Sequence, residues 1–213
     1  AYTFLEAKNL FKSTEIASVL FSESPVQGDP NDPQLGHSEF GNRQRFIASA
    51  TYAKTWSATS KTSLGVFIET AQGNTFLGAG GNRYSFTYSG DVNGDGFGGN
   101  DLIYIPTDAR DSNEILFDSN PTYSAAVQAL QFEQFIEQDE YLSDNRGKIA
   151  ERFGAVNPWY TNVDVRVQPE VSFDAAGRGH HLPFTLDVFH VANTLYSHGG
   201  VRMVAAPCAT SPS

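Results

Sequence analysis

Apolar and polar residues alternate with a period of two in several short stretches of this chain. Phe46, Ala48, Ala50 and Tyr52 fall on one side of residues 46–52. Tyr84, Phe86 and Tyr88 alternate with Ser85, Thr87 and Ser89, and Val163, Val165 and Val167 with Asn162, Asp164, Arg166 and Gln168. Such alternation predicts half-buried strands. Residues 64–68 are apolar and β-branched and follow a polar connection, 54–61, that contains Trp56. They are expected to form an antiparallel hairpin with 46–52. Shorter strands are expected near Tyr2, over 184–191 and over 201–205, and Pro169 is expected to end the Val163 strand.

The period changes once. Ala125, Ala129, Phe132 and Ile136 recur at helical spacing, which predicts one amphipathic helix over 124–142, capped by Thr122 or Ser124 and stopped at Asn145-Arg146-Gly147. Glu133, Glu137, Asp139 and Glu140 lie at the end where the helix dipole disfavours negative charge, so packing must hold this helix. Glu133, Glu137 and Glu140 share a side that is expected to face solvent. The remainder reads as long Gly/Pro-rich loops: 12–45, with Pro25, Gly28, Pro30, Pro33 and Gly36, and a turn over 71–82. Arg43 and Arg45 are expected in a solvated turn at the foot of the next strand. The pattern therefore predicts a mainly β fold of antiparallel strands with one helix: a single β-rich domain over 1–206 and a disordered tail over 207–213.

Composition sharpens this. Sixteen Phe, nine Tyr and two Trp favour β structure. A net charge of −10 argues against nucleic acid as a partner and favours cations or neutral and basic ligands. Cys208 is the one cysteine, which leaves no internal disulfide and no thiolate zinc cluster. No run approaches the roughly 20 apolar residues of a membrane helix, which says nothing against a membrane β-barrel.

The most distinctive stretch is glycine-rich and acidic. Asp91, Asn93 and Asp95 sit two apart, Gly96 follows, and the apolar run 102–105 closes on Pro106. The spacing can turn alternate oxygens onto one hard cation, with the Phe97 carbonyl as a backbone ligand. Leu102 stands where a bidentate glutamate belongs, and Asp101 is the nearest carboxylate. Two readings follow: a Ca²⁺ loop of Asp91, Asn93, Asp95, Phe97 and Asp101, or a turn that satisfies its own backbone. The five histidines, His37, His180, His181, His190 and His198, lack zinc spacing. The adjacent pair His180-His181 is expected to point to opposite faces of a strand. His190 is read as a hydrogen-bonded structural residue or a general base. The glycines at 94, 96, 98 and 99 lack the lysine and strand–turn–helix context of a phosphate loop.

Four blocks, in order, resemble one known family. They are Tyr88-Ser-Gly-Asp-Val-Asn-Gly-Asp-Gly with Asn100-Asp-Leu-Ile-Tyr-Ile-Pro106; Phe132-Glu-Gln-Phe-Ile-Glu-Gln-Asp-Glu-Tyr-Leu142 with Asn145-Arg-Gly147; Glu151-Arg-Phe-Gly154 with Pro158-Trp159; and Leu186-Asp-Val-Phe-His-Val-Ala-Asn-Thr-Leu195. The upstream Gly28-Asp-Pro30 and Arg43-Gln-Arg-Phe46 also fit. Together they look like the C-terminal β-barrel region of TonB-dependent outer-membrane receptors, most closely the Oar-like branch with a carboxypeptidase-regulatory-like domain.

The resemblance implies strands of a Gram-negative outer-membrane barrel-type sheet, a small-molecule ligand, and TonB as the source of energy. The acidic loop and the helix would belong to a long external loop. The plug, the TonB box and most of the barrel have no counterpart here, and residues 205–213 do not resemble the aromatic-ended final strand of such receptors. The chain is thus expected to be a fragment truncated at both ends, acting as a binding or structural module ordered by calcium. It would not transport by itself, and if soluble it would have to repack its lipid-facing residues or self-associate through strand edges. The competing expectation is a calcium-dependent hydrolase of esters or lactones, in which the metal polarises a carbonyl and His190 acts as base.

Overall fold

A computed structural model describes residues 1–11, 16–40, 43–73 and 82–191, together with the backbone of 208–209. The chain is mainly β, 41% strand and 15% helix, built on a curled antiparallel sheet. In chain order the elements are β1 (Tyr2–Phe4), β2 (Lys8–Asn9), α1 (Ala17–Glu23), β3 (Gly36–His37), β4 (Gln44–Ser57), β5 (Ser60–Gln72), β6 (Arg83–Tyr84), β7 (Thr87–Tyr88) and β8 (Tyr104–Ile105). They continue with α2 (Ala125–Gln138), α3 (Glu140–Asp144), β9 (Lys148–Ile149), β10 (Ala155–Val156), β11 (Trp159–Ala175), β12 (Arg178–Pro183), β13 (Leu186–Val188) and β14 (Cys208–Ala209). Two compact units result: unit 1 from 1–5, 42–75 and 158–204, and unit 2 from 6–41, 76–157 and 205–213.

Unit 1 is the large sheet, in the order β1-β4-β5-β11-β12, with β13 continuing along the same edge of β11 as β12. The expected hairpin is present: Phe46 stands opposite Thr70, Ala48 opposite Ile68 and Tyr52 opposite Leu64. Both short connections lie at one end of the sheet, Ala58-Thr59 between β4 and β5, and Ala176-Gly177 between β11 and β12. The second is a primed turn with both residues at positive φ (54° and 71°), the twist that suits a tight hairpin. The long connections, from β1 to β4 and from β5 to β11, leave from the opposite end.

Register sorts the sheet's side chains into two unlike faces. One carries Phe46, Ala48, Ala50 and Tyr52 of β4, Leu64, Val66 and Ile68 of β5, Val163, Val165 and Val167 of β11, and Leu186 and Val188 of β13. The other carries Arg45 paired to Glu69 at 2.7 Å, Arg166 paired to Asp187 at 2.6 Å, Asn162, Asp164 and Glu170. From the row Phe46–Thr70–Thr161 to the row Tyr52–Leu64–Val167 the first face holds no charged residue. Aromatic residues mark both its ends: Tyr2, Phe4, Phe46 and Trp159 at one, Tyr52, Trp56 and Phe173 at the other. This face is open. Tyr52 is 65% exposed, Trp56 61% and Leu186 61%, and Ala71 is the one buried side chain among the described residues of unit 1.

Several expectations need correction. Pro169 does not end its strand. β11 runs on to Ala175, because only one bond is lost: Phe184 N–H donates to the Pro169 carbonyl at 2.9 Å, and proline has no N–H to return it. The partner edge breaks there instead: β12 ends at Pro183, and the strand expected over 184–191 shortens to β13, Leu186–Val188. Arg45 lies within β4 rather than in a turn. The strand expected through Tyr84 and Tyr88 is two short strands, β6 and β7, that pair with different partners. The helix expected over 124–142 is also two. Ser124 caps α2 through Val127 N–H as expected, but Asp139 leaves the helical path and its carboxylate caps α3 through Leu142 N–H at 2.9 Å. α1 lies inside a region read as loop; its seven residues have no side-chain cap.

Unit 2 has an ordinary core: Phe86, Leu102, Ile103, Ile105, Ile136, Leu142, Ala150 and Ala155 are buried, with Tyr84, Tyr88, Phe132, Phe135 and Tyr141 packed against them. Phe86 is its centre, edge-on to Tyr84 and Phe135 and stacked 6.1 Å from Tyr141. Gly154 admits the Tyr141 ring, since a Cβ there would lie 2.5 Å from its hydroxyl oxygen. Glu133 is not solvated. It is buried, accepts Ala109 N–H at 2.9 Å and pairs with Arg146 at 2.7 Å, and chiefly that pairing holds its pKa below the usual carboxylate value. Cys208 and Ala209 pair in parallel with Thr87 and Tyr88. The strand expected over 201–205, the remainder of the tail, His198 and most of the 71–82 turn fall outside the described residues.

Glu114 closes the 107–114 turn by accepting Thr107 N–H (2.7 Å), Asp108 N–H (3.2 Å) and the Tyr104 hydroxyl (2.6 Å). The Thr107 N–H is the chief reason its carboxyl falls to about 2 from 4.5. A depressed acid contributes stability above its unfolded pKa and loses it as pH falls through the folded one. The urea midpoint is therefore expected to fall between pH 4.5 and about 2, and Glu114→Gln to lower the neutral-pH midpoint and flatten that acid slope.

Candidate functional site

The acidic loop belongs to unit 2 and is fixed at both ends by backbone bonds. Val26 N–H donates to Asn100 O (2.8 Å), Leu102 N–H to Val26 O (3.0 Å) and Tyr88 N–H to Asp101 O (2.8 Å). Gly94, Gly96 and Gly99 adopt positive φ of 77°, 90° and 86°, which lets the chain coil tightly enough for its amides to point inward. Those amides meet carboxylates. Asp91 Oδ1 accepts the N–H of Gly94 (2.7 Å) and Asp95 (3.2 Å), and Oδ2 accepts Gly96 N–H (2.9 Å). Asp95 Oδ1 accepts Phe97 N–H (2.8 Å), while its Oδ2 accepts the side-chain amides of Asn93 (3.2 Å) and Asn100 (3.1 Å). Asp101 Oδ2 accepts Val92 N–H at 2.7 Å and Asn93 N–H at 3.4 Å.

Desolvation pushes the Asp95 carboxyl up, but the hydrogen bonds from Phe97, Asn100 and Asn93 outweigh it and hold the pKa below the usual value. A carboxylate offers roughly four lone-pair directions, and these bonds occupy about three on Asp91 and on Asp95. The donors are hard oxygens, as a calcium site needs. Yet they close on the loop's own amides, and among the described residues no three His, Cys, Asp or Glu side chains group so as to hold a metal. Asp91, Asp95 and Asp101 thus satisfy amides of their own loop.

The sequence singled out Asp91, Asn93, Asp95, Phe97 and Asp101 together, and the fold gathers all five in one hydrogen-bonded loop. His190 is in the other unit, just past β13, with φ at 54°; its backbone N–H donates to Asp164 Oδ1 at 2.9 Å. It is therefore not a strand residue as expected. His180 stacks on Phe173 at 5.5 Å and His181 bonds Ser172 Oγ at 2.8 Å, so the pair does point to opposite faces. His37 lies between Glu6 (2.6 Å) and Glu151 (3.5 Å).

A second feature was not anticipated from sequence. A cavity of about 170 Å³ opens in unit 2 between α1, the 30–37 segment and residues 149–152. Arg152, buried at its edge, donates to the backbone oxygens of Leu10 and Asn9 and to Asn9 Oδ1. Its walls come from residues more than a hundred positions apart, so no local spacing could announce it.

Against family models, curated proteins and solved structures, the chain finds no match.

Removing the Asp91 carboxylate frees three backbone amides at once. Asp91→Ala is expected to destabilise by about 1–3 kcal/mol, read as a lower Tm in buffer containing a chelator. A loss seen only when calcium is supplied would mean that an ion, not the N–H network, holds the loop.

Proposed function

We propose that unit 1 is part of the wall of an outer-membrane β-barrel receptor of the TonB-dependent kind, and that the acidic loop and the helix α2 belong to a long external loop between its strands. The observation that carries this is the open apolar face of the sheet. In water such a face is a liability of many exposed aromatic and aliphatic side chains. In hydrocarbon it is the required surface, since every strand bond is internal and the outward residues are apolar.

From Phe46 to Trp56, aromatic end to aromatic end, the strand covers about 33 Å at ~3.3 Å per residue, which a tilt near 40° projects to about 25 Å, the height of a barrel's apolar band; the charge-free part, Phe46 to Tyr52, covers about 20 Å of strand, with Lys54 toward the rim. Aromatic residues at both ends correspond to interfacial girdles, and Lys54, whose amine lies 4.1 Å from the centre of the Trp56 ring, sits at the rim where a cation reaches water. Short turns at one end and long connections at the other follow the barrel habit of brief periplasmic turns and extended external loops. The opposite face, with Arg45–Glu69 and Arg166–Asp187, suits a hydrated lumen. Six strands do not close a transport barrel, so the edges at β1 and β12/β13 would continue into further strands.

In this reading the protein works in the Gram-negative envelope, takes a small-molecule ligand, and draws energy through TonB. The oxygens of Asp91, Asn93, Asp95, Asp101 and the Phe97 carbonyl are where calcium would order an external loop, once it displaced the present N–H bonds.

Both tryptophans lie on the apolar face, which permits a direct test. In vesicles with brominated acyl chains, Trp56 and Trp159 fluorescence is expected to be quenched, each still reporting after Trp→Phe at the other. Val165→Arg, at the middle of the apolar face, is expected to cost about 2–4 kcal/mol of insertion, while Asp164→Arg on the other face leaves it intact. A monodisperse monomer in plain buffer with unquenched tryptophans in lipid would refute the proposal.

A further inference from the structure

We infer, resting on the membrane reading, that the turn end of the unit 1 apolar face binds the phosphate headgroups of anionic glycerophospholipids through Lys54 and Arg178.

Register assigns each strand residue of unit 1 to one face of the sheet. Among the described strand residues on the apolar face, Lys54 and Arg178 are the only two that are Asp, Glu, Lys or Arg. Lys54 stands opposite Thr62, and Arg178 stands opposite Ala175 beside the Ala176-Gly177 turn. Both are cations, and both lie at the end with the short turns. The carboxylates Glu69, Asp164, Glu170, Asp174 and Asp187 all fall on the other face. That separation runs against the composition, since the chain has 24 Asp and Glu but 14 Lys and Arg. The opposite rim of the apolar face differs in kind. There the Gln44 side-chain amide donates to Gln72 (3.4 Å), the Tyr2 hydroxyl donates to Gln44 (3.3 Å), and the Thr70 and Thr161 hydroxyls meet at 3.1 Å. Those groups satisfy one another and bring no charge to a phosphate.

Each cation is set among aromatic side chains. The Lys54 amine lies 4.1 Å from the centre of the Trp56 ring, whose own N–H is taken up by Thr62 Oγ1 at 3.0 Å. The ring face attracts the ammonium and leaves most of its three donors for an outside oxygen. Arg178 is one row beyond the stacked pair of Phe173 and His180, centroids 5.5 Å apart. Lys54, Trp56, Phe173, Arg178 and His180 are all exposed, so a ligand reaches them. A free phosphate would meet a single exposed charge in water, which stabilises little. A phospholipid makes the same contact and also lays its acyl chains along the exposed apolar residues that continue inward, such as Leu64, Val171 and Leu182. An anionic headgroup is favoured over a zwitterionic one because it carries no ammonium of its own to repel the cation.

The test uses the full chain in mixed vesicles of phosphatidylcholine and phosphatidylglycerol, with bromine on the acyl chains of one lipid at a time. In the Trp159→Phe variant, quenching of Trp56 by the two brominated lipids gives their relative affinity at the turn end. The Trp56→Phe variant gives the same ratio at the other end through Trp159. Phosphatidylglycerol is expected to be preferred about fivefold at Trp56, the effect of one cation at an anionic surface, and not at Trp159. Lys54→Gln should equalise the two lipids at Trp56. Lys61→Gln, which removes a cation from the polar face of the same hairpin, should leave the preference intact. Arg178 is read from Phe173→Trp in a chain with Trp56→Phe and Trp159→Phe, where a similar preference should vanish with Arg178→Gln. Inorganic phosphate at about 10 mM and constant ionic strength should displace neither. Equal quenching by both lipids at Trp56, an equal preference at Trp159, or a preference that survives Lys54→Gln or yields to free phosphate would each overturn the inference while the membrane reading stands. No quenching by either lipid at either tryptophan would refute both, so the two failures are distinguishable.

Discussion

Backbone hydrogen bonding between long strands is the interaction on which unit 1 depends. β4, β5 and β11 pair over thirteen residues or nearly so on both sides of β5, yet among the described residues they bury almost no side chain. Ladder bonds exposed to water contribute little net free energy, because water competes for every donor and acceptor. A sheet held this way would gain from a surrounding medium that does not compete. The same absence of competition would make the apolar face favourable and the proposed hydrocarbon setting self-consistent.

Unit 2 follows the opposite rule. Its strands are two residues long and could not persist as ladders alone. They persist because Phe86, Ile103, Ile105, Ile136 and Leu142 are fully enclosed, and because buried charges such as Glu133 find partners. The Asp91 loop applies that rule on a small scale, turning carboxylates onto its own amides. The two units thus solve the burial of polar backbone in different ways: one by long uninterrupted pairing, the other by side-chain and loop contacts around a packed centre.

How much of this was legible in sequence depended on the range of the forces involved. Alternation at Phe46–Ala48–Ala50–Tyr52 and at Val163–Val165–Val167 reported the strands and their faces, since a period of two is a local property. The hairpin followed from proximity. Pro169 misled because its cost depends on which neighbour its missing bond faces, and only register reveals that. Asp139 misled because the apolar spacing continued through it, while its side chain competed for the next helix's first amides. The Asp91–Asn93–Asp95 spacing singled out one loop but left open whether its oxygens hold an ion or the backbone. The cavity was out of reach, since Ser24 and Arg152 are neighbours only in space.

β4 slips register by one residue at Trp56, between Thr55 and Ser57. The slip brings the indole N–H within 3.0 Å of Thr62 Oγ1 and leaves the Lys54 ammonium over the ring. A hydroxyl, an indole and a cation at one spot resist displacement in both directions: sinking would strip water from the ammonium, and rising would wet the ring. The hairpin's tip is therefore self-levelling at any boundary between oil and water, its height governed by three side chains rather than by the length of the ribbon behind it.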